Sequence, residues 1–449
     1  MGVKVYFKTI GCRVNQVETQ SLLEKFAVFG HSATSDLILA DLVLINSCTV
    51  TEFADRDAVK FLKKTAKVNP KARIVVTGCL ATLDPQKILS LAPTALIFNN
   101  NDKEKIPFEL CGAPFKPDAF AVSRFEGRTR AFVKLQDGCN LVCSYCLVPH
   151  ARSSMSSKPA AAAENEIKRL IASGFKEIVL CGTRLGMYKC PETGLELGGL
   201  MKRLLALEGR FRLRFSSLEP MEISEGLIEI LSRGGKKFCQ YFHLPLQSGS
   251  DKVLKEMRRP YDTAEYLRKI GFIRAAFPRA GLYTDVITGY PSETSKDFDD
   301  TREFIERCGF SGLHIFSYSS RPGTAAASLK PLSPQTVKAR STVLHELDAQ
   351  LRAVFAVSMI GAELEMLILE KQADSALLVQ EEGASSAAEM LHTGSLPQKN
   401  TVGRALGLAE NFLNISVECP LEPGGLHKVK ITGAEKGYCF GEVDMCLGE

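Results

Sequence analysis

Asp137-Gly138-Cys139-Asn140-Leu141-Val142-Cys143-Ser144-Tyr145-Cys146 sets three cysteines in a C-x3-C-x2-C spacing, with an aromatic residue directly before the last. Three thiolates on one short loop can hold three irons of a cubane cluster and leave the fourth iron open to a small molecule. Electron-carrying clusters normally take four cysteines, and structural zinc sites pair two knuckles, so a lone triplet argues against both. The loop follows AFVKLQD (131–137), an apolar run that reads as a β-strand.

Five more runs of the same character follow: EIVLCG (177–182), RLRFSS (212–217), YFHLPLQ (241–247), GLYTDVITG (281–289) and GLHIFSYS (312–319). Between them lie amphipathic stretches such as AENEIKRLIASG, EGLIEILSRGG, TAEYLRKIGFIRAAF and SKDFDDTREFIERCG, each stopping near Gly or Pro. Six βα units predict an open, partial α/β barrel, in which chemistry sits at the carboxyl ends of the strands. That rule selects Gly182, Thr183, Glu219, Gln247, Asp285, Thr288 and Tyr318 as pocket residues beside the cysteine loop. Glu219 and Gln247 close apolar runs and point to the barrel mouth. His243 and His314 lie inside such runs and read as core histidines.

Upstream, KVYFKTI (4–10), DLVLINS (41–47) and RIVVTG (73–78) alternate with helix-like stretches, the pattern of parallel βαβ units. Cys12, Cys48 and Cys79 each fall just beyond one of these runs. The carboxyl ends of neighbouring parallel strands share one edge, so this placement predicts a second three-cysteine site. Downstream, ELEMLILE, SALLVQ, FLNISVE, HKVKITG and CFGEVD with Gly-rich turns suggest a small β-barrel. The polar segment EEGASSAAEMLHTGSLPQKN interrupts it as a loop near 380–405, and a long helical stretch from Ser333 to Met359 leads into it. The expected domains are 1–115, 125–355 and 359–446.

A chain of 449 residues accommodates two or three domains with proper cores. It has no run long and apolar enough for a membrane span and no signal-peptide succession at its start, which predicts a cytoplasmic protein without membrane contact. Its 14 cysteines are then ligands or packing rather than disulfides. From residue 351 onward seven Lys and Arg stand against fourteen Asp and Glu, so within the net +5 the rest of the chain carries +12. A basic body suits a polyanion such as RNA.

The C-x3-C-x-aromatic-C loop after an apolar strand resembles the radical S-adenosylmethionine superfamily. With a second cysteine triplet on a βαβ region and a small terminal barrel, the chain resembles the methylthiotransferases over nearly its whole length. Its opening TIGCRVNQVET is similar to the branch that modifies threonylcarbamoyladenosine in tRNA. Further agreements are VPHAR, SSLEP, HLPLQSGS, MRRPY, DVITGYPSET and FSYSSRPGT.

The resemblance implies two 4Fe-4S clusters: a radical-generating one on the catalytic Cys139, Cys143 and Cys146, and an auxiliary one on Cys12, Cys48 and Cys79. It implies S-adenosylmethionine with Tyr145 near its adenine, for which the strand-end residues Gly182, Thr183, Glu219, Gln247 and Asp285 are the candidate contacts, and it makes Asn15, Gln16, Arg258 and Tyr261 candidates for substrate contacts. One S-adenosylmethionine would methylate a sulfur, a second would yield a deoxyadenosyl radical, and carbon 2 of the adenine would receive the methylthio group. The implied partners are the tRNA anticodon loop, an external electron donor and a sulfur donor, acting on a monomer. The terminal barrel resembles the TRAM RNA-binding domain, with Lys428 and Lys430 as its RNA-contacting residues. Ser153 and Lys158 stand where the family shows Gly and Arg. The alternatives are the same chemistry on isopentenyladenosine or on a ribosomal-protein aspartate, and a non-catalytic iron–sulfur protein that binds tRNA or senses redox state.

Overall fold

The structure is a computed structural model that describes residues 2–115, 121–123, 125, 127–372 and 403–443. The first region is a parallel sheet of β1 (Lys4–Thr9), β2 (Ser32–Ala33), β3 (Leu42–Ser47), β4 (Arg73–Gly78) and β5 (Leu96–Ile97), in the order β2-β1-β3-β4-β5. Leu42 and Leu44 of β3 face Leu22 and Phe26 of α1 (Arg13–Val28). Val43 and Ile45 face α2 (Glu52–Val68), α3 (Cys79–Leu83) and α4 (Pro85–Leu91). Both faces are covered, which is why the middle of β3 (LVLI) and of β4 (IVV) is a continuous apolar run rather than an alternation. A short α5 (Ile106–Cys111) completes the α1 layer.

In the central region β6 (Arg130–Asp137), β7 (Ser156–Ser157), β8 (Glu177–Gly182) and β9 (Arg212–Phe215) form one sheet, and β10 (Tyr241–His243), β11 (Gly281–Thr288) and β12 (Gly312–Ser317) another. Backbone bonds from Cys239 to Leu213 (2.8 Å) and from Leu218 to His243 (3.0 Å) join them, so β6-β8-β9-β10-β11-β12 runs as one parallel arc. The run YFHLPLQ shortens to three strand residues because Pro245 has no N–H for a ladder. Pairing resumes at Gln247, whose N–H reaches the Asp285 carbonyl at 2.8 Å. In chain order the helices are α6 (Val148–Ala151), α7 (Ala160–Ala172), α8 (Leu197–Leu205), α9 (Glu225–Arg233), α10 (Asp251–Glu256), α11 (Thr263–Ala276) and α12 (Ser295–Cys308).

After α13 (Pro334–Val357) the chain closes a five-stranded barrel, β13 (Glu363–Gln372), β14 (Arg404–Ala409), β15 (Asn414–Val417), β16 (Leu426–Glu435) and β17 (Tyr438–Val443), in the order β13-β14-β15-β17-β16. The expected strand SALLVQ lies outside the described residues. β14 was not among the expected strands; its RALGLA carries no β-branched or aromatic residue to mark it. Among the described residues no helix is long and apolar enough to cross a membrane.

The small barrel plugs the amino-terminal end of the arc. Phe412 stacks on Tyr241 with ring centroids 4.3 Å apart. Buried Arg212 and Arg214, alternate residues of β9, both hold buried Glu177 and reach on to carbonyls of the small barrel, Arg212 to Leu408 (2.8 Å) and Arg214 to Ala409 (3.0 Å). Burial alone would raise the Glu177 carboxyl, but Arg214 and Arg212 hold it well below the usual range. A carboxyl with a depressed folded pKa contributes stability that is present above its unfolded value and lost as pH falls toward its folded value. The urea midpoint is therefore expected to be flat from neutrality down to about pH 5 and to fall below about pH 4. Glu177→Gln should lower the midpoint at neutral pH and flatten this acid limb. A variant with an unaltered pH profile would contradict the assignment.

Candidate active site

Cys12, Cys48 and Cys79 follow the carboxyl ends of β1, β3 and β4, and two glycines make their approach possible. Gly11 (φ +111°) packs so tightly that a Cβ on it would stand 2.5 Å from the Cys48 Cβ. On Gly78 (φ +99°) it would stand 2.1 Å from the Ser47 carbonyl oxygen. Cys48 and Cys79 are buried and Cys12 is exposed. A hydrogen bond from Cys48 lowers the Cys79 thiol to about 6, against burial and with help from Arg152 and Lys103. The same bond raises Cys48, with burial and the sulfurs of Cys79 and Cys12 adding to it. Three thiols that feel one another's charge, one of them readily ionised, are a donor set suited to an iron–sulfur cluster.

The second triplet leaves β6. Cys139 N–H donates to the Arg152 carbonyl (3.2 Å), Cys146 N–H to the Cys143 carbonyl (3.1 Å), and Val148 N–H to the Cys146 sulfur (3.4 Å). Burial, with Cys143 and Cys139 adding, pushes the Cys146 thiol up to about 12, so it ionises readily only when a metal takes the proton's place. Arg259 donates to the Cys143 sulfur at 3.3 Å and pairs with Glu219. Its Nε donates to the Tyr261 hydroxyl (2.9 Å), which itself donates to the Pro245 carbonyl (2.7 Å). Tyr145 packs against Val253, Met257, Tyr290 and Ala326.

A buried ion network ties α1, which follows Cys12, to the segment that carries the second triplet. Arg152 donates to Glu18 (2.9 Å), Asp137 (2.7 Å) and Asn15 (2.8 Å), while Lys134 and Lys103 also converge on Glu18. Asn100 holds the Ala151 carbonyl at 2.8 Å and lies 3.9 Å from the Cys79 sulfur. Arg321 clamps the segment after Cys48, reaching the Thr49 carbonyl and Asp55 at 2.7 Å each.

The expected pocket residues do come to the carboxyl ends of the arc. Gly182 lies against Gln136, and Thr183 donates to Asp137 at 2.8 Å. Gln247 sits at φ +70°, a conformation L-residues rarely adopt, and its carboxamide makes no hydrogen bond among the described residues. Thr288 Oγ1 and Gln16 Oε1 are buried without a partner. Asp285 accepts from His243 Nε2 (2.8 Å) and His314 Nδ1 (3.1 Å), so the two histidines read as core are half-buried polar partners instead.

Two of the expected substrate contacts have their polar groups engaged within the protein. Asn15 is fully buried and uses its amide on the Ile10 carbonyl and Arg152, while the Tyr261 hydroxyl is consumed by Arg259 and two carbonyls. Both position neighbours of the cysteines. Arg258 is exposed at φ +56°. The residue missed was its neighbour Arg259, and the available signal was Pro260: a residue before proline is held extended, which turns Arg259 inward. Lys158 is buried against Glu166, and Ser153 is exposed.

A parallel arc with a three-cysteine loop after its first strand is the frame of a radical S-adenosylmethionine enzyme. Residues 133–305 match the Radical SAM superfamily and residues 4–99 the uncharacterized protein family UPF0004. The threonylcarbamoyladenosine tRNA methylthiotransferase MtaB of Aquifex aeolicus is 36% identical over 386 residues, covering 82% of this chain and 93% of its own. That of Bacillus subtilis is 33% identical, covering 81% and 84%. The tRNA-2-methylthio-N(6)-dimethylallyladenosine synthase of Helicobacter pylori strain P12 is 30% identical, covering 97% and 98%. Among solved structures, the radical S-adenosylmethionine methyltransferase TsrM of Kitasatospora setae shares the fold, with a TM-score of 0.56 at 12% identity over 73% of this chain and 75% of that one. The chain belongs to the radical S-adenosylmethionine methylthiotransferases, in the MtaB-like group. It is an enzyme that uses S-adenosylmethionine and an iron–sulfur cluster.

Proposed function

We propose that this enzyme transfers a methylthio group to carbon 2 of threonylcarbamoyladenosine beside the tRNA anticodon, with two 4Fe-4S clusters, as a cytoplasmic monomer supplied by external electron and sulfur donors. The observation that carries the reading is the buried network by which Arg152 ties the helix after Cys12 to the strand end before Cys139. When bound, a cluster on Cys139, Cys143 and Cys146 with S-adenosylmethionine supplies one-electron cleavage, and a cluster on Cys12, Cys48 and Cys79 supplies a site for the transferred sulfur.

The chain's own residues do the rest. Arg259 places positive charge on the Cys143 sulfur and fixes Glu219 at the pocket wall. Gln247, Thr288 and Gln16 offer polar atoms to S-adenosylmethionine or substrate, and Tyr145 provides an apolar floor beside the radical loop. Glu18, Lys103, Lys134 and Arg152 fix the spacing into which an unstacked anticodon-loop base enters.

At the far end, exposed Lys428 borders a groove of about 470 Å³ together with Arg210, Lys236 and Lys237, a basic strip suited to RNA phosphates. Glu365 also lines this groove, opposite Lys428 across the β13–β16 ladder, and Lys430, opposite Glu363, lies outside it. Expressed in a host lacking its own methylthiotransferases, the enzyme should convert threonylcarbamoyladenosine to its 2-methylthio form in nucleoside mass spectrometry. Modification of dimethylallyladenosine alone would favour the other tRNA branch.

A further inference from the structure

Arg13 follows Cys12 and opens α1. Its Nε is buried with no hydrogen-bond partner, and among the described residues no carboxylate stands within ion-pair distance of its guanidinium. Four arginines near the two cysteine loops are matched: Arg152 holds Glu18 and Asp137, Arg184 holds Glu222, Arg259 holds Glu219 and Arg321 holds Asp55. Arg13 is half-buried and its guanidinium stays charged at any working pH, so with no anion beside it, next to the first cysteine triplet, it is poised for an anionic ligand.

Arg13 shares a face of α1 with Val17, four residues on, which packs into the core of the central arc with Val133 and Leu180. That face turns Arg13 from the N-terminal region toward the arc. Gln16, three residues on and on the same face of α1, carries a second buried atom without a partner. A cation and a neutral polar group side by side match an arm bearing both a carboxylate and amide-like atoms.

We propose that Arg13 binds the carboxylate of the threonylcarbamoyl arm and so selects this nucleoside over neutral N6-alkyl adenosines. The inference rests on the substrate reading above. In that arm the threonine nitrogen is tied into the carbamoyl group, leaving the carboxylate as its only ionised group, and the guanidinium fork fits a carboxylate in bidentate fashion. A half-buried cation whose Nε is already out of water is left unpaired by a neutral arm, which penalises the wrong substrate.

The test compares two substrates: tRNA bearing threonylcarbamoyladenosine, and the same tRNA with the threonine carboxylate converted to its amide. Wild-type enzyme should prefer the acid by about 100-fold in kcat/KM. Arg13→Gln should bring that ratio close to one, chiefly through KM for the acid, and Arg13→Lys should restore part of it. Equal losses on both substrates, with the ratio kept, would show Arg13 to be structural and overturn the proposal. Failure of the substrate reading looks different: wild-type enzyme would methylthiolate dimethylallyladenosine tRNA and neither of these two, which removes the proposal with its premise.

Discussion

Glu18→Ala is expected to lower the first unfolding transition by roughly 6–20 °C, because truncating one member of a buried ion cluster costs about 3–5 kcal/mol and each kcal/mol moves a domain of this size by a few degrees. Glu18 is buried and receives Arg152, Lys103 and Lys134 together. Burial would raise its carboxyl, but those three cations hold it well below the usual range. Without it, Lys134 and Arg152 keep only Asp137, and Lys103 loses the carboxylate it pairs with. The damage should go beyond stability, since Glu18 lies on α1 of the first region whereas Lys134 and Arg152 belong to the central arc. Calorimetry with parallel iron analysis reads both effects. A shift under about 2 °C would mean that the network does not join the two cysteine loops.

Arg259→Met should slow reductive cleavage of S-adenosylmethionine by about 10–100-fold while leaving the chain folded, the usual scale for losing an outer contact of a metal ligand. The guanidinium donates to the Cys143 sulfur and holds Glu219 in place. Hydrogen bonds and positive charge at ligand sulfurs raise a cluster's reduction potential, so the variant's cluster should titrate at a lower potential by electron paramagnetic resonance. Arg259→Lys, which keeps the charge but not the fork that serves Cys143, Glu219 and Tyr261 at once, should recover only part of the rate. An unaltered potential would assign Arg259 to packing alone.

The strands that carry the cysteines were legible because a parallel strand covered on both faces is an unbroken apolar run, as in LVLINS and RIVVTG. The place of Cys12, Cys48 and Cys79 on one edge followed from that. What holds the two triplets together was not legible. Arg152 meets Glu18 across 134 residues, Arg259 meets Cys143 across 116, and Arg321 meets Thr49 across 272. Pairings of that kind leave no local pattern. Periodicity likewise placed His243 and His314 within strands, but their meeting on Asp285 depends on the register of β10, β11 and β12. β2, β5 and β7, with two residues each, are too short to show any period.

The most direct measurement is iron and sulfide content after anaerobic reconstitution, made on the wild-type chain and on the variant with Cys12, Cys48 and Cys79 all changed to Ala. The proposed pair of clusters predicts about eight irons in the first and about four in the second, one cubane per cysteine triplet. About four irons in both would mean that the first triplet holds no cluster, and the enzyme would then be a single-cluster radical enzyme without a site for the transferred sulfur.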